Sequence, residues 1–133
     1  GLSQLQRIEE FVRRRHALAE RYGQLLKDLP VTLPWQDPDA YSAFHLYVLR
    51  LHLDKLEKSR RQIFEELRAS KIIVNVHYIP VHTQPYYERL GFKVGDFPAA
   101  EEYYQEAMTI PLYYGLSEED QDYVVEKLRE IIR

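Results

Sequence analysis

The sequence predicts an α+β domain: a small antiparallel or mixed sheet of about three strands, covered by helices, with a long helix at its amino end. Three observations carry this expectation. Apolar residues recur at steps of three and four over residues 2–29, 54–69 and 117–132, the signature of amphipathic helices. Short β-branched and aromatic runs fall at 43–51, 72–79 and 108–112 and read as strands. The two patterns alternate along the chain, which places a sheet beneath a layer of helices.

The first helix is expected to run from Leu2 to Leu29, stopped by Pro30. At 1.5 Å per residue it would reach about 42 Å, longer than a domain of this size is wide. Its amino-terminal half should therefore project, carrying an apolar stripe that nothing else in the sequence obviously covers. The alternative is a helix that docks on its own domain or pairs with a second copy. Gly1 and Leu2 open the chain already on the helical period, with no capping residue, so it reads as a helix cut in the middle and the chain as an excised or processed piece. Arg13, Arg14 and Arg15 stand within helical reach of Glu9, Glu10 and Glu20, and read as a solvated face.

Residues 30–42 hold three prolines and form a connecting loop. Residues 43–51 are apolar on both alternating faces, as an internal strand is. Asp54 and Glu57 open the next helix as a capping-box-like pair, with Leu56, Ile63, Phe64 and Leu67 inward. Residues 72–79 form the second strand, with Val74, Val76 and Tyr78 on one face and Ile73, Asn75, His77 and Ile79 on the other. Pro98 starts a short helix. Residues 108–112 are a short third strand, demoted at its end by Pro111. Ser117 and Asp120 cap the last helix, whose core positions are Val124, Val125, Leu128, Ile131 and Ile132.

Composition bounds the function. The 133 residues suit one domain, and 45% hydrophobic with 29% charged residues is ordinary for a soluble protein. No apolar run approaches the ~20 residues of a membrane span, and the net charge of −3 argues against nucleic acid. With no cysteine there is neither a disulfide nor a thiolate metal site, which fits a reducing, cytoplasmic setting.

The densest chemistry lies at residues 75–87, N-V-H-Y-I-P-V-H-T-Q-P-Y-Y. Two prolines stiffen the segment and hold its polar side chains in place without regular structure. His77 and His82 lack the helical spacing and neighbouring carboxylates of a metal site, so no metal is expected, and hydrogen-bonded structural histidines are the plainer reading. There is no G-x-S-x-G, no glycine-rich phosphate loop, and no lysine placed for a depressed pKa. No catalytic residue is assigned. Of the tyrosine pairs, Tyr103–Tyr104 reads as one ring packed inward beside one facing water. Tyr86–Tyr87 is as well suited to a ligand or a neighbouring domain.

The ordered run His77-Tyr78-Ile79-Pro80-Val81-His82-Thr83-Gln84-Pro85, then Gly95-Asp96-Phe97-Pro98-Ala99-Ala100-Glu101, then Ile110-Pro111-Leu112 and Gly115-Leu116-Ser117, resembles the carboxy-terminal end of the DegT family. These are fold-type I aminotransferases that use pyridoxal phosphate to aminate nucleotide-linked keto sugars. The phrase Phe44-His45-Leu46-Tyr47-Val48 fits the same family. Relatives often read H-Y-P-x-P-x-H-L-Q-P; the shorter segment here is most similar to the branch that aminates the UDP-linked 4-keto sugar precursor of pseudaminic acid. The resemblance implies that residues 1–133 are the small domain, without the cofactor-binding domain and its Schiff-base lysine. It implies a substrate-facing role for His77, Tyr78, His82 and Gln84, glutamate as amino donor, and a homodimer when full length. No cofactor is expected on this chain alone. The rival from another class is a non-catalytic interaction module that binds a protein through the long helix and the tyrosines.

Overall fold

The computed structural model describes all 133 residues. A short helix α1 (Leu2–Leu5) precedes α2 (Ile8–Leu25), followed by strands β1 (Val31–Thr32) and β2 (Tyr47–Leu51). Helix α3 (Arg60–Ala69), the single-turn helix α4 (Pro85–Glu88), α5 (Pro98–Glu106), strand β3 (Ala107–Ile110) and α6 (Glu118–Ile131) complete the chain. The strands form one antiparallel sheet in the order β1-β2-β3, the α+β architecture expected.

Strand β2 is central, and its side chains alternate. Tyr47, Leu49 and Leu51 are buried, while Val48 and Arg50 are half-buried. The buried set meets Leu18, Tyr22 and Leu26 of the first helical region, Ile63 and Leu67 of α3, and Leu128 of α6 in one core. Each such side chain, fully withdrawn from water, contributes about 1.5–3 kcal/mol. On the other face, Arg50 reaches Glu106 at 2.7 Å and ties α5 to the sheet.

The leading helix departs from its expected length. It breaks at Gln6–Arg7, where Arg7 takes φ −112° and ψ 4°. This turn sets the Arg7 guanidinium against Glu10 at 3.1 Å and over the rings of Phe11 and Tyr114, at 4.8 and 5.7 Å. At the other end α2 stops at Leu25, because the chain must turn before β1 and Arg129 of α6 holds that corner through Leu25 O and Asp28. The apolar stripe is divided accordingly. Leu18, Ala19 and Tyr22 are buried, whereas Leu2, Leu5 and Ile8 remain 76%, 62% and 49% exposed.

The arginine run is not a solvated face. Only Arg13 pairs with an acid on its own helix, Glu9 at 3.7 Å. Arg14 donates to Leu116 O at 2.9 Å, and Arg15 to Phe44 O at 2.8 Å and His45 O at 3.1 Å. These bonds hold the two loops that flank the core, including Phe44 at φ 44°, a left-handed conformation uncommon for an aromatic residue.

Two other expectations need correction. Helix α3 starts at Arg60, not at Asp54: Ser59 and Gln62 form a reciprocal capping box, and residues 53–55 make only a 3-10 turn. Residues 72–79 are extended without being a strand. They contribute one antiparallel bridge, Asn75 to Thr109. In that register position 73 would face Pro111, which has no N–H to donate. At the other end Ala107 O already accepts from Arg60, at 3.5 Å. The ladder is thus blocked on both sides of Asn75.

Candidate functional site

The segment that follows Lys71, itself at φ 62°, runs along the outer edge of β3 and then over α5. Its first half alternates: Ile72 and Val74 are buried, Ile73 and Asn75 exposed. The alternation ends there, since His77 is half-buried and Tyr78 exposed.

His77 is fixed through one ring nitrogen. Its Nε2 lies 2.9 Å from Thr109 Oγ1, and Thr109 Oγ1 donates its single proton to Asn75 O at 3.2 Å. When that bond is made the hydroxyl shows His77 a lone pair, and Nε2 then carries the ring proton. Nδ1 is then a bare acceptor, and it is buried with no donor from this chain in reach. Tyr78 stacks edge-on against the same ring at 4.7 Å and is 75% exposed.

His82 is placed differently. It sits in the 3-10 turn Val81–Thr83, buried, with Nε2 2.8 Å from Glu101 Oε1. The same carboxylate oxygen accepts the Gly95 N–H at 2.7 Å. The Gly95 N–H first, and the His82 ring second, hold the Glu101 carboxyl below its usual range. Phe97 packs against the His82 ring at 4.9 Å. Gln84 is half-buried and starts α4 as its N-cap residue. The four predicted site residues thus share one continuous segment but differ in exposure. Tyr78 faces outward, Gln84 is half-covered, and the two histidines are held from within.

Residues missed by the sequence reading complete the picture. Glu101, Thr109 and Gly95 anchor the histidines. The sequence carried a trace of this, since Gly95 and Glu101 lie in the G-D-F-P-A-A-E run, but no spacing rule connects Glu101 to His82. Around them Val81, Tyr87, Phe92, Phe97 and Ala100 line an apolar groove of about 380 Å³. Tyr86 is exposed beside it, and Arg60 lies over the half-buried Tyr104 ring.

No three histidine, cysteine or acidic side chains converge as a metal-ligand set. His52 instead bonds Thr32 Oγ1 at 2.9 Å and His16 bonds Ser42 O at 2.7 Å. No helix is long and apolar enough to cross a membrane. Among the lysines, Lys58 pairs with Glu66 at 2.6 Å and Lys127 with Glu130 at 2.7 Å, while Lys27, Lys55, Lys71 and Lys93 are exposed.

Residues 1–129 match the DegT/DnrJ/EryC1/StrS aminotransferase family. The chain belongs to that family. Among relatives of this DegT/DnrJ/EryC1/StrS chain is the spore coat polysaccharide biosynthesis protein SpsC of Bacillus subtilis, 37% identical over 136 residues, covering 100% of this chain and 35% of SpsC. The fold is similar to that of the putative sugar aminotransferase Spr1654 of Streptococcus pneumoniae. The TM-score is 0.88 at 30% identity, over 98% of this chain and 33% of the other, and Spr1654 is known in a PLP form and a PMP form. It is also similar to Helicobacter pylori PseC, an aminotransferase involved in the biosynthesis of pseudoaminic acid. There the TM-score is 0.88 at 26% identity, over 99% of this chain and 35% of PseC. The chain thus spans about a third of the length of these relatives.

Proposed function

We propose that residues 1–133 are the small domain of a pyridoxal-phosphate-dependent aminotransferase, and that its cofactor-binding domain, with the Schiff-base lysine, lies outside these residues. The intact enzyme moves an amino group from glutamate to a nucleotide-linked 4-keto-6-deoxy sugar, as a step towards a cell-surface polysaccharide or nonulosonic acid. One observation carries this reading. The family match spans residues 1–129, yet the chain covers only about a third of the length of the aminotransferases it resembles.

In this reading the segment from His77 to Gln84 is one wall of the active-site mouth. Tyr78 and Gln84 offer the groups that meet the nucleotide-sugar, while His77 and His82 set the wall's shape from behind. The likeness to PseC supports the narrower assignment to a UDP-linked 4-keto sugar. The same reading makes the full-length enzyme a cytoplasmic homodimer. The cofactor supplies the electron sink for transamination; this chain supplies orientation and excludes water.

The test is direct. The isolated chain, mixed with pyridoxal phosphate and reduced with borohydride, should show only scattered, sub-stoichiometric labelling of exposed lysines by mass spectrometry. One stoichiometric adduct at a single lysine would overturn the proposal. The interaction-module alternative draws on the uncovered Leu2, Leu5 and Ile8. A reading frame that continues upstream into a lysine-bearing domain would end it.

A further inference from the structure

Glu101 is the only side chain in this region that joins three separately folded pieces. It stands in the first turn of α5, and its Oε1 accepts from His82 in the 3-10 turn and from Gly95 in the preceding loop. Its side chain is only 16% exposed, and the His82 side chain 7%. A hydrogen bond to a carboxylate in such a setting is shorter and roughly twice as strong as a neutral one. Gly95 takes φ 97°, a conformation that side chains rarely adopt, and this turns its N–H towards the carboxylate. Asp96 closes the same loop, accepting from Lys93 N at 2.9 Å.

The clip fixes more than its own partners. With the His82 ring held, the turn Val81–Thr83 is held, and Thr83 Oγ1 ties it back to Pro80 O at 2.8 Å. Phe97 then rests on His82, and Phe92 on Phe97 at 6.1 Å, which forms one side of the apolar groove. The backbone from Pro80 to Gln84 is therefore tied to an acid nineteen residues beyond His82 in the chain.

We infer that Glu101 is a positioning residue for the nucleotide-sugar: it clips the Gly95 loop and His82 together, and so sets where Gln84 stands. This inference rests on the substrate reading given above, and names the group that controls that wall. Glu101 itself stays behind the wall and does not touch substrate.

The experiment compares three variants of the intact enzyme with wild type. Glu101→Ala removes the acceptor, Glu101→Gln keeps one acceptor oxygen without charge, and Gly95→Ala strains the loop although nothing lies within 4 Å of the added Cβ. Glu101→Ala and Gly95→Ala should raise KM for the nucleotide-sugar about tenfold, with kcat and the glutamate half-reaction within about twofold. Glu101→Gln should recover most of the loss.

In parallel, NMR of the 133-residue chain should show a protected Gly95 amide and a slowly exchanging His82 Nε2 proton, both lost in Glu101→Ala. Loss of those signals with unchanged KM would overturn the inference, as would an equal fall in kcat for both half-reactions. So would a Gly95 amide that is unprotected in the wild-type chain. A wild-type enzyme inert towards every nucleotide-linked keto sugar would remove the substrate reading instead; Glu101 would then lose its proposed role, while the NMR signals would still report whether the clip forms.

Discussion

His77 Nε2 faces Thr109 Oγ1 at 2.9 Å, and the same hydroxyl lies 3.2 Å from Asn75 O, to which it can donate. A threonine that donates to Asn75 O favours the Nε2-protonated tautomer of the histidine, and the contact fixes the plane of the ring on which Tyr78 leans. The expected outcome is a single Nε2-protonated form of His77 in long-range nitrogen–proton NMR spectra. Thr109→Val should release that preference and cost about 1 kcal/mol in urea unfolding, the net value of a typical hydrogen bond.

Tyr22 is fully buried and its hydroxyl donates to Pro111 O at 2.9 Å, joining α2 to the end of β3. Tyr22→Phe leaves that carbonyl without its partner, and should cost about 1–2 kcal/mol. Burial pushes the Tyr22 phenol well above its ordinary range, and the Tyr47 phenol up to about 12. Raised phenol values mean that stability is fully present below the unfolded value of about 10 and is lost as the pH rises beyond it. Tyrosinate absorbance from these two rings should appear only together with alkaline unfolding.

Asp28 accepts from Arg129 Nη2 at 2.9 Å, and also bonds its Nη1, which holds its carboxyl down at about 2. The unfolded chain binds that proton near pH 4, so the contribution is present above about pH 4 and fades as the pH falls through the folded value. Asp28→Asn should flatten the acid arm of a Tm-versus-pH curve between those limits. The pair is exposed, so the drop at neutral pH should be small.

Ser59 caps α3 by accepting from Gln62 N, and its own N–H donates to Gln62 Oε1 at 2.9 Å. Ser59→Ala should cost about 0.5–2 kcal/mol, read by chemical denaturation. Asp54→Ala should be nearly silent, because Asp54 caps no helix.

The helices were legible because their periodicity repeats over many residues, and the central strand because both its faces are apolar. What failed has a local physical cause in each case. The break at Arg7 depends on Tyr114, more than a hundred residues away, and no pattern within the helix announces it. The capping box at Ser59 was readable as S-x-x-Q, but an acidic pair five residues earlier drew the boundary forward. Residues 72–79 have the composition of a strand, yet a strand needs a partner with free backbone groups, and Pro111 and Arg60 removed them. Of the candidate site, the continuous segment and its stiffening prolines were legible. Its anchors were not: Glu101 and Thr109 act from other elements, across a fold that had first to be known.

The outer edge of β3 has one further consequence. Thr109 gives both its backbone groups to Asn75, Ala107 O is taken by Arg60, and Pro111 has no N–H to offer. The edge of β3 itself therefore offers no row of free backbone groups to a foreign strand. Any pairing with another chain on this side would have to be made by the extended segment 72–79 that covers β3, not by β3.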